Sequence, residues 1–139
     1  MCSRWTSAHA VDHEAAVARM GDDGRVVAVT ALPTRVAAPN YLLYAMAKSA
    51  LETMTRTLAK ELGPRGITVN AVMPGIVDTE MNASWLRSDE TLRRAAAATS
   101  VLGCLIEARD AADVVAFLGS DSARTVTSQV LDASGGSTL

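Results

Sequence analysis

Tyr44-Ala45-Met46-Ala47-Lys48 opens a helical run that continues to Leu62. A tyrosine and a lysine four residues apart stand one turn above each other on one helix face. An ammonium beside a phenol stabilises the phenolate and lowers the tyrosine pKa from its reference near ~10. A tyrosine tuned in that way can give a proton to an alkoxide forming from a ketone, or take one from an alcohol. The same pair also fits a solvated helical surface, and the flanking residues distinguish the two.

Before the helix, Val26 to Thr30 is a continuous apolar run, the pattern of a strand buried on both faces of a parallel sheet. Leu32 to Asn40, with Pro33 and Pro39, reads as a loop. The helix spans Tyr41 to Leu62 and is stopped by Gly63-Pro64 and a turn at Gly66. Ile67 to Val72 is the next buried strand, broken by Pro74-Gly75 at its carboxyl end. Ser88-Asp89-Glu90 supplies an N-cap and an acidic first turn for a helix through Ala98. Asp110 to Leu118 is a further helix, and Gln129 to Ala133 a last strand. Upstream, Met1 to Ala10 is irregular around Trp5, Val11 to Met20 is a short helix with His13 on its polar side, and Gly21 to Gly24 is a turn. Strands alternating with helices predict an α/β fold of parallel strands joined by right-handed crossovers, with helices on both faces.

The totals narrow the class. A chain of 139 residues suits one domain with a real core. A formal charge of −2 without a Lys/Arg patch argues against nucleic acid and acidic membrane as partners. Cys2 and Cys104 have neither metal spacing nor a disulfide framework, so no metal site is expected and a reducing cytoplasm is the natural compartment. No apolar run approaches the length of a membrane span.

Pro39-Asn40-Tyr41, Tyr44-x-x-x-Lys48-Ser49-Ala50-Leu51 and Leu58-Ala59-Lys60-Glu61-Leu62 lead into Val69-Asn70-Ala71, Met73-Pro74-Gly75-Ile76-Val77-Asp78-Thr79 and a closing Ser134-Gly135-Gly136. In that order the chain resembles the C-terminal half of the short-chain dehydrogenase/reductase family, from about Gly24 to the end. The motifs are most specific between Asn40 and Thr79 and fade between Asn82 and Thr99. The resemblance implies a truncated Rossmann-like, doubly wound parallel sheet in a single domain. Residues 1–23 form its leader and helix, 24–81 the strand, Tyr-Lys helix and Pro-Gly loop, 82–99 a lid, and 100–139 the closing helix and strand.

The resemblance also implies roles. Tyr44 is the acid–base and Lys48 its tuning cation. Pro74, Gly75, Ile76 and Thr79 contact the nicotinamide of NAD(P), with Thr79 donating to the carboxamide. Ala31, Met81 and Trp85 fall in the substrate pocket, although packing of the lid onto the body is the favoured role of Met81, Trp85 and Leu86. Asn70 fixes a loop, Gly135-Gly136 make a tight turn, and Asp78 and Glu80 are solvated.

Two departures limit these implications. No G-x-G-x-x-G motif or other glycine cluster precedes Tyr44, and such a turn is what holds a dinucleotide pyrophosphate. NAD(P) is therefore expected only where a partner completes the site, and Met1 followed by an unrelated-looking leader suggests a natural start. The family's carbonyl-polarising serine lies thirteen residues before the tyrosine, where this chain has Ala31. Thr30 next door points to the opposite face of its strand. Thr34 remains as a loop hydroxyl that could swing in.

Three functions follow. The chain is one half of a split or heteromeric NAD(P)-dependent ketoreductase or alcohol dehydrogenase; or a shortened enzyme doing dehydration, cyclisation or isomerisation with Tyr44 and Lys48; or a non-catalytic interaction subunit. A homodimer or heteromer through the Tyr41–Leu62 helix and a small-molecule substrate are the expected partners.

Overall fold

The computed structural model describes residues 17–139. The irregular leader, Trp5, His13 and most of the expected Val11–Met20 helix lie outside the described residues; Val17 to Arg19 are helical.

Three strands form one parallel sheet in the order β1 (Arg25–Val29), β2 (Thr68–Pro74), β3 (Val130–Ala133). The helices are α1 (Leu42–Leu62), α2 (Ala83–Leu86), α3 (Glu90–Ala98) and α4 (Ala108–Leu118), with short 3-10 turns at Leu32–Thr34, Gly63–Arg65 and Asp121–Ala123. This is the expected α/β architecture.

Strand alternation sends successive side chains to opposite faces. On one face Val26 and Val69 meet Leu58, Ala59 and Leu62 of α1 together with Ile67. On the other, Val27, Val72 and Leu131 meet Val114, Val115 and Leu118 of α4. The buried positions of α1 are Glu52, Thr55, Ala59 and Leu62, a three-and-four spacing that keeps one stripe against the sheet. Glu52 is the one carboxylate in that stripe.

Only the central strand is buried as the apolar runs predict. β2 is buried from Thr68 to Met73, whereas β1 is half-buried and its last residue, Val29, is 47% exposed. The reason is position: among the described residues β1 hydrogen-bonds to β2 on one edge and to no strand on the other. An apolar run tells how a strand likes to be covered, and here one side of it is open.

The ends of elements follow local chemistry. Asp89 caps α3, its carboxylate accepting from the Thr91 amide at 2.7 Å. α4 begins two residues before the expected Asp110, because Glu107 and Asp110 close a reciprocal capping box. After α1 the chain runs through Gly63–Arg65 to Gly66 at φ 68°, a left-handed position where an added Cβ would also run into the Asp23 carboxylate.

Asn70 is fully buried on β2. Its amide donates to the Val126 carbonyl at 2.8 Å, and the Gln129 amide donates to its side-chain oxygen at 3.1 Å. This ties the loop before β3 to the middle of the sheet. Asn70→Ala strands both loop groups in the interior and is expected to cost about 1–3 kcal/mol for each group left unpaired. Urea unfolding of the variant measures it.

Candidate active site

The carboxyl ends of parallel strands, where doubly wound sheets bind ligands, carry the residues singled out above. Lys48 reaches from α1 to the end of β1, its ammonium donating to the Val29 carbonyl at 2.8 Å. Tyr44 stands one turn earlier, with the Lys48 nitrogen 5.7 Å from its ring centroid and the Tyr41 ring packed edge-on at 6.3 Å. β2 ends at Pro74 and is followed by Gly75, Ile76 and Thr79, and beyond β3 runs the glycine pair.

The electrostatics differ from the expectation in sign. Burial raises the Tyr44 pKa above its ordinary value, and burial lowers that of Lys48. The Lys48 ammonium donates to a backbone carbonyl and stands 5.7 Å from the ring centroid, and the loss of solvent around the phenol outweighs it. Tyr44 therefore keeps its proton at neutral pH, the state of a donor rather than a base.

The oxyanion side holds no free hydroxyl from the β1 loop. Ala31 is buried and extended at φ −161°. Thr30 is buried and donates back to the Val72 carbonyl at 3.3 Å. Thr34 is also committed inward: its hydroxyl lies 2.6 Å from Glu52 Oε1 and 3.0 Å from the Ala31 carbonyl.

Gly75 is required by close approach. An added Cβ would come within 3.0 Å of the Ser134 carbonyl and 2.9 Å of the Ile106 side chain, which the loop cannot accommodate without shifting. Ile76 and Val77 extend this contact, the Ile106 amide donating to the Ile76 carbonyl at 3.3 Å. Gly135 and Gly136 both have positive φ, at 68° and 80°. Gly135 also packs on Ser100, whose hydroxyl donates to its carbonyl at 2.9 Å.

Asp78 is not a solvated loop acid. Its two oxygens accept from Arg87 Nε and Arg93 Nη1, each at 2.8 Å, and Glu80 accepts from the other end of Arg87 at 2.9 Å. Hydrogen bonds from Arg93 and Arg87 hold the Asp78 carboxyl below its usual range. These pairs tether α2 and α3 to the loop bearing Thr79. Leu86 is fully buried and packs α2 down, Trp85 is half-buried, and Met81 is exposed. A cavity of about 620 Å³ is lined by Asp78, Arg93, Ala97 and Ile106. Its lining excludes Tyr44, Lys48 and Ala31.

The Asp78 pKa is depressed, so its contribution to holding α2 and α3 is present above the ordinary carboxylate range and is lost as pH falls through its lowered pKa. Exposed ion pairs contribute little to global stability, so the effect is local. Asp78→Asn is expected to speed proteolytic cutting within residues 82–99 at neutral pH and to flatten its pH dependence. Equal cutting rates in both proteins would contradict the tether.

The sequence profile described as enoyl-(acyl carrier protein) reductase matches residues 3–138. A solved structure described as a short-chain dehydrogenase/reductase, glucose/ribitol dehydrogenase from Brucella melitensis, aligns with a TM-score of 0.82 at 31% identity, over 89% of this chain and 49% of its own. The chain belongs to the short-chain dehydrogenase/reductase family.

Its relatives in that family include the 3-oxoacyl-[acyl-carrier-protein] reductase FabG of Pseudomonas aeruginosa, 40% identical over 81% of this chain and 44% of that protein. The angucycline C-6 ketoreductase LanV, solved with bound NADP, aligns with a TM-score of 0.83 at 40% identity, over 91% of this chain and 48% of its own. The chain spans about half the length of the curated relatives it matches. Among the described residues no helix is long and apolar enough to cross a membrane.

As a short-chain dehydrogenase/reductase chain it fits a nicotinamide cofactor in part. Lys48 reaches the end of β1, and the loop from Pro74 to Thr79 follows the end of the neighbouring β2. No glycine-rich turn in the sequence supplies the pyrophosphate cradle.

Sequence reasoning missed Glu52 and the Asp78 tether. Glu52 was readable, since it continues the four-residue spacing of Tyr44 and Lys48 onto the buried stripe. The partners of Asp78 lie nine and fifteen residues away, one at the end of α2 and one in α3, which no spacing rule connects.

Proposed function

We propose that this chain is the acid–base half of an NAD(P)-dependent carbonyl reductase, with the nucleotide-binding half supplied by a partner chain or by further sequence. The observation that carries it is the stripe of α1 at the carboxyl end of β1, where Lys48 is seated on the Val29 carbonyl and a protonated Tyr44 stands one turn above. When bound, a reduced nicotinamide supplies hydride to the carbonyl carbon. Tyr44 gives its phenolic proton to the carbonyl oxygen as the alcohol forms, and Lys48 orients the ring and stabilises the phenolate left behind. Pro74, Gly75, Ile76 and Thr79 hold the nicotinamide end, while Ala31, Met81 and Trp85 bound the substrate pocket. The relatives, a ketoreductase solved with NADP and a 3-oxoacyl-[acyl-carrier-protein] reductase, support ketones as the substrate class.

α1 is the partner surface in this reading. Tyr41, Leu42, Leu43 and Met46 are exposed along its first turns, more apolar surface than a solvated helix carries. A homodimer or heteromer through the helix covers it. A reducing cytoplasm belongs to the same reading, supported by the exposed free thiol of Cys104.

The test is fragment complementation. The chain alone is expected to bind NADPH weakly in calorimetry; co-purified with the first half of the FabG of Pseudomonas aeruginosa made as a separate chain, it is expected to bind NADPH and oxidise it with a 3-oxoacyl thioester. Tight NADPH binding by the chain alone would contradict the division of labour. Proton transfer without hydride is the second reading, favoured by the lack of a free hydroxyl at Ala31, Thr30 and Thr34. Ala31→Ser separates the two, raising carbonyl reduction in the complemented protein under the first and leaving turnover unchanged or lower under the second.

A further inference from the structure

We infer that Glu52 is a positioning residue for the candidate site, holding from the Tyr44–Lys48 stripe of α1 the loop on which Ala31 stands. The inference rests on the acid–base reading of Tyr44. Tyr44, Lys48 and Glu52 recur every four residues, which stacks them along one side of the helix. Two of them grip the chain on either side of Ala31. Lys48 binds the Val29 carbonyl two residues before it. Glu52 accepts from Thr34 three residues after it, at 2.6 Å, and stands 3.9 Å from Arg35 Nε.

The Thr34 hydroxyl has a single proton and three acceptors around it: Glu52 at 2.6 Å, the Ala31 carbonyl at 3.0 Å and Met73 Sδ at 3.7 Å. The carboxylate is the nearest and strongest acceptor, so the hydroxyl donates its hydrogen bond there. The Leu32–Thr34 turn has no capping side chain of its own. Its hold on the helix is therefore directional and runs through Glu52.

Packing alone does not call for an acid here. Glu52 is 8% exposed, and a carboxylate so far from water is costly unless compensated. An apolar residue of similar volume would join the helix to the turn at least as well. What the carboxylate adds is the orientation of Thr34 and Arg35, on the turn that directly follows Ala31.

Glu52→Leu and Glu52→Gln in the full chain test this, since the glutamine oxygen can still accept from Thr34. Glu52→Leu is expected to speed hydrogen exchange at the Thr34, Arg35 and Val36 amides roughly tenfold, with the β2 amides unchanged. In the complemented protein it is expected to lower kcat roughly tenfold while leaving the NADPH affinity in place. Glu52→Gln is expected to restore most of both. Unchanged exchange in Glu52→Leu, exchange raised equally in β2, or damage as large from Glu52→Gln would each overturn the positioning role. A Tyr44→Phe control that keeps full turnover overturns the acid–base reading and this inference with it. A dead Tyr44→Phe beside an unaffected Glu52→Leu overturns the inference alone.

Discussion

Tyr44→Phe is expected to lower carbonyl reduction by the complemented protein by a factor of about 10²–10⁴, the usual contribution of a positioned general acid. The substitution keeps the ring, its edge-on contact with Tyr41 and its place beneath the Lys48 nitrogen. It removes only the phenolic hydroxyl, to which the described residues offer no hydrogen bond. Thermal stability should therefore be unchanged while NADPH oxidation collapses. Because burial raises the Tyr44 pKa, reduction should persist at neutral pH and fall on the alkaline side as the phenol loses its proton. Lys48→Met tests the other half of the stripe: it frees the Val29 carbonyl and removes the cation that receives the phenolate. A Tyr44→Phe protein with full activity would leave an interaction subunit as the account of the fold.

The largest expected loss of stability is at the other face of the sheet. Leu118 closes α4, is fully buried, and packs with Val72, Ala123, Val114 and Leu131. Leu118→Ala removes three carbons' worth of that contact and leaves a cavity, expected to cost about 2–5 kcal/mol. Domains of this kind have roughly 5–15 kcal/mol in total, so the variant should lose a large share of its folded margin. Its neighbour Phe117 is larger but 43% exposed, and Phe117→Ala should cost well under half as much. Chemical denaturation of the two side by side decides whether α4 is held by the Leu118 contact as the packing implies. Similar losses for both would mean that the exposed face of α4 is covered by something outside the described residues.

The elements were legible because their signals are local. Apolar runs at Val26–Val29 and Val69–Val72, the Asp89 cap, the Gly63-Pro64 stop and the Gly135-Gly136 turn each act within a few residues of where they are written. The four-residue spacing likewise put Tyr44 and Lys48 on one stripe, since helix geometry alone fixes that relation. What the sequence could not decide depends on groups brought together from far apart. The Lys48 ammonium went to the Val29 carbonyl, nineteen residues away in the chain, so the Tyr44 pKa moved up with burial instead of down with charge. Thr34 could have served the carbonyl side, until the packing of α1 on its turn set Glu52 beside it. Asp78 looked solvated until α2 and α3 folded back over it. Even the cover on β1 was undecided by its residues: Val29 is as apolar as Val72, yet among the described residues one lies on an edge strand and the other in the centre of the sheet. Which groups lose water and which meet a charge is set by the order of strands and the faces the helices take, and only the tertiary structure supplies it.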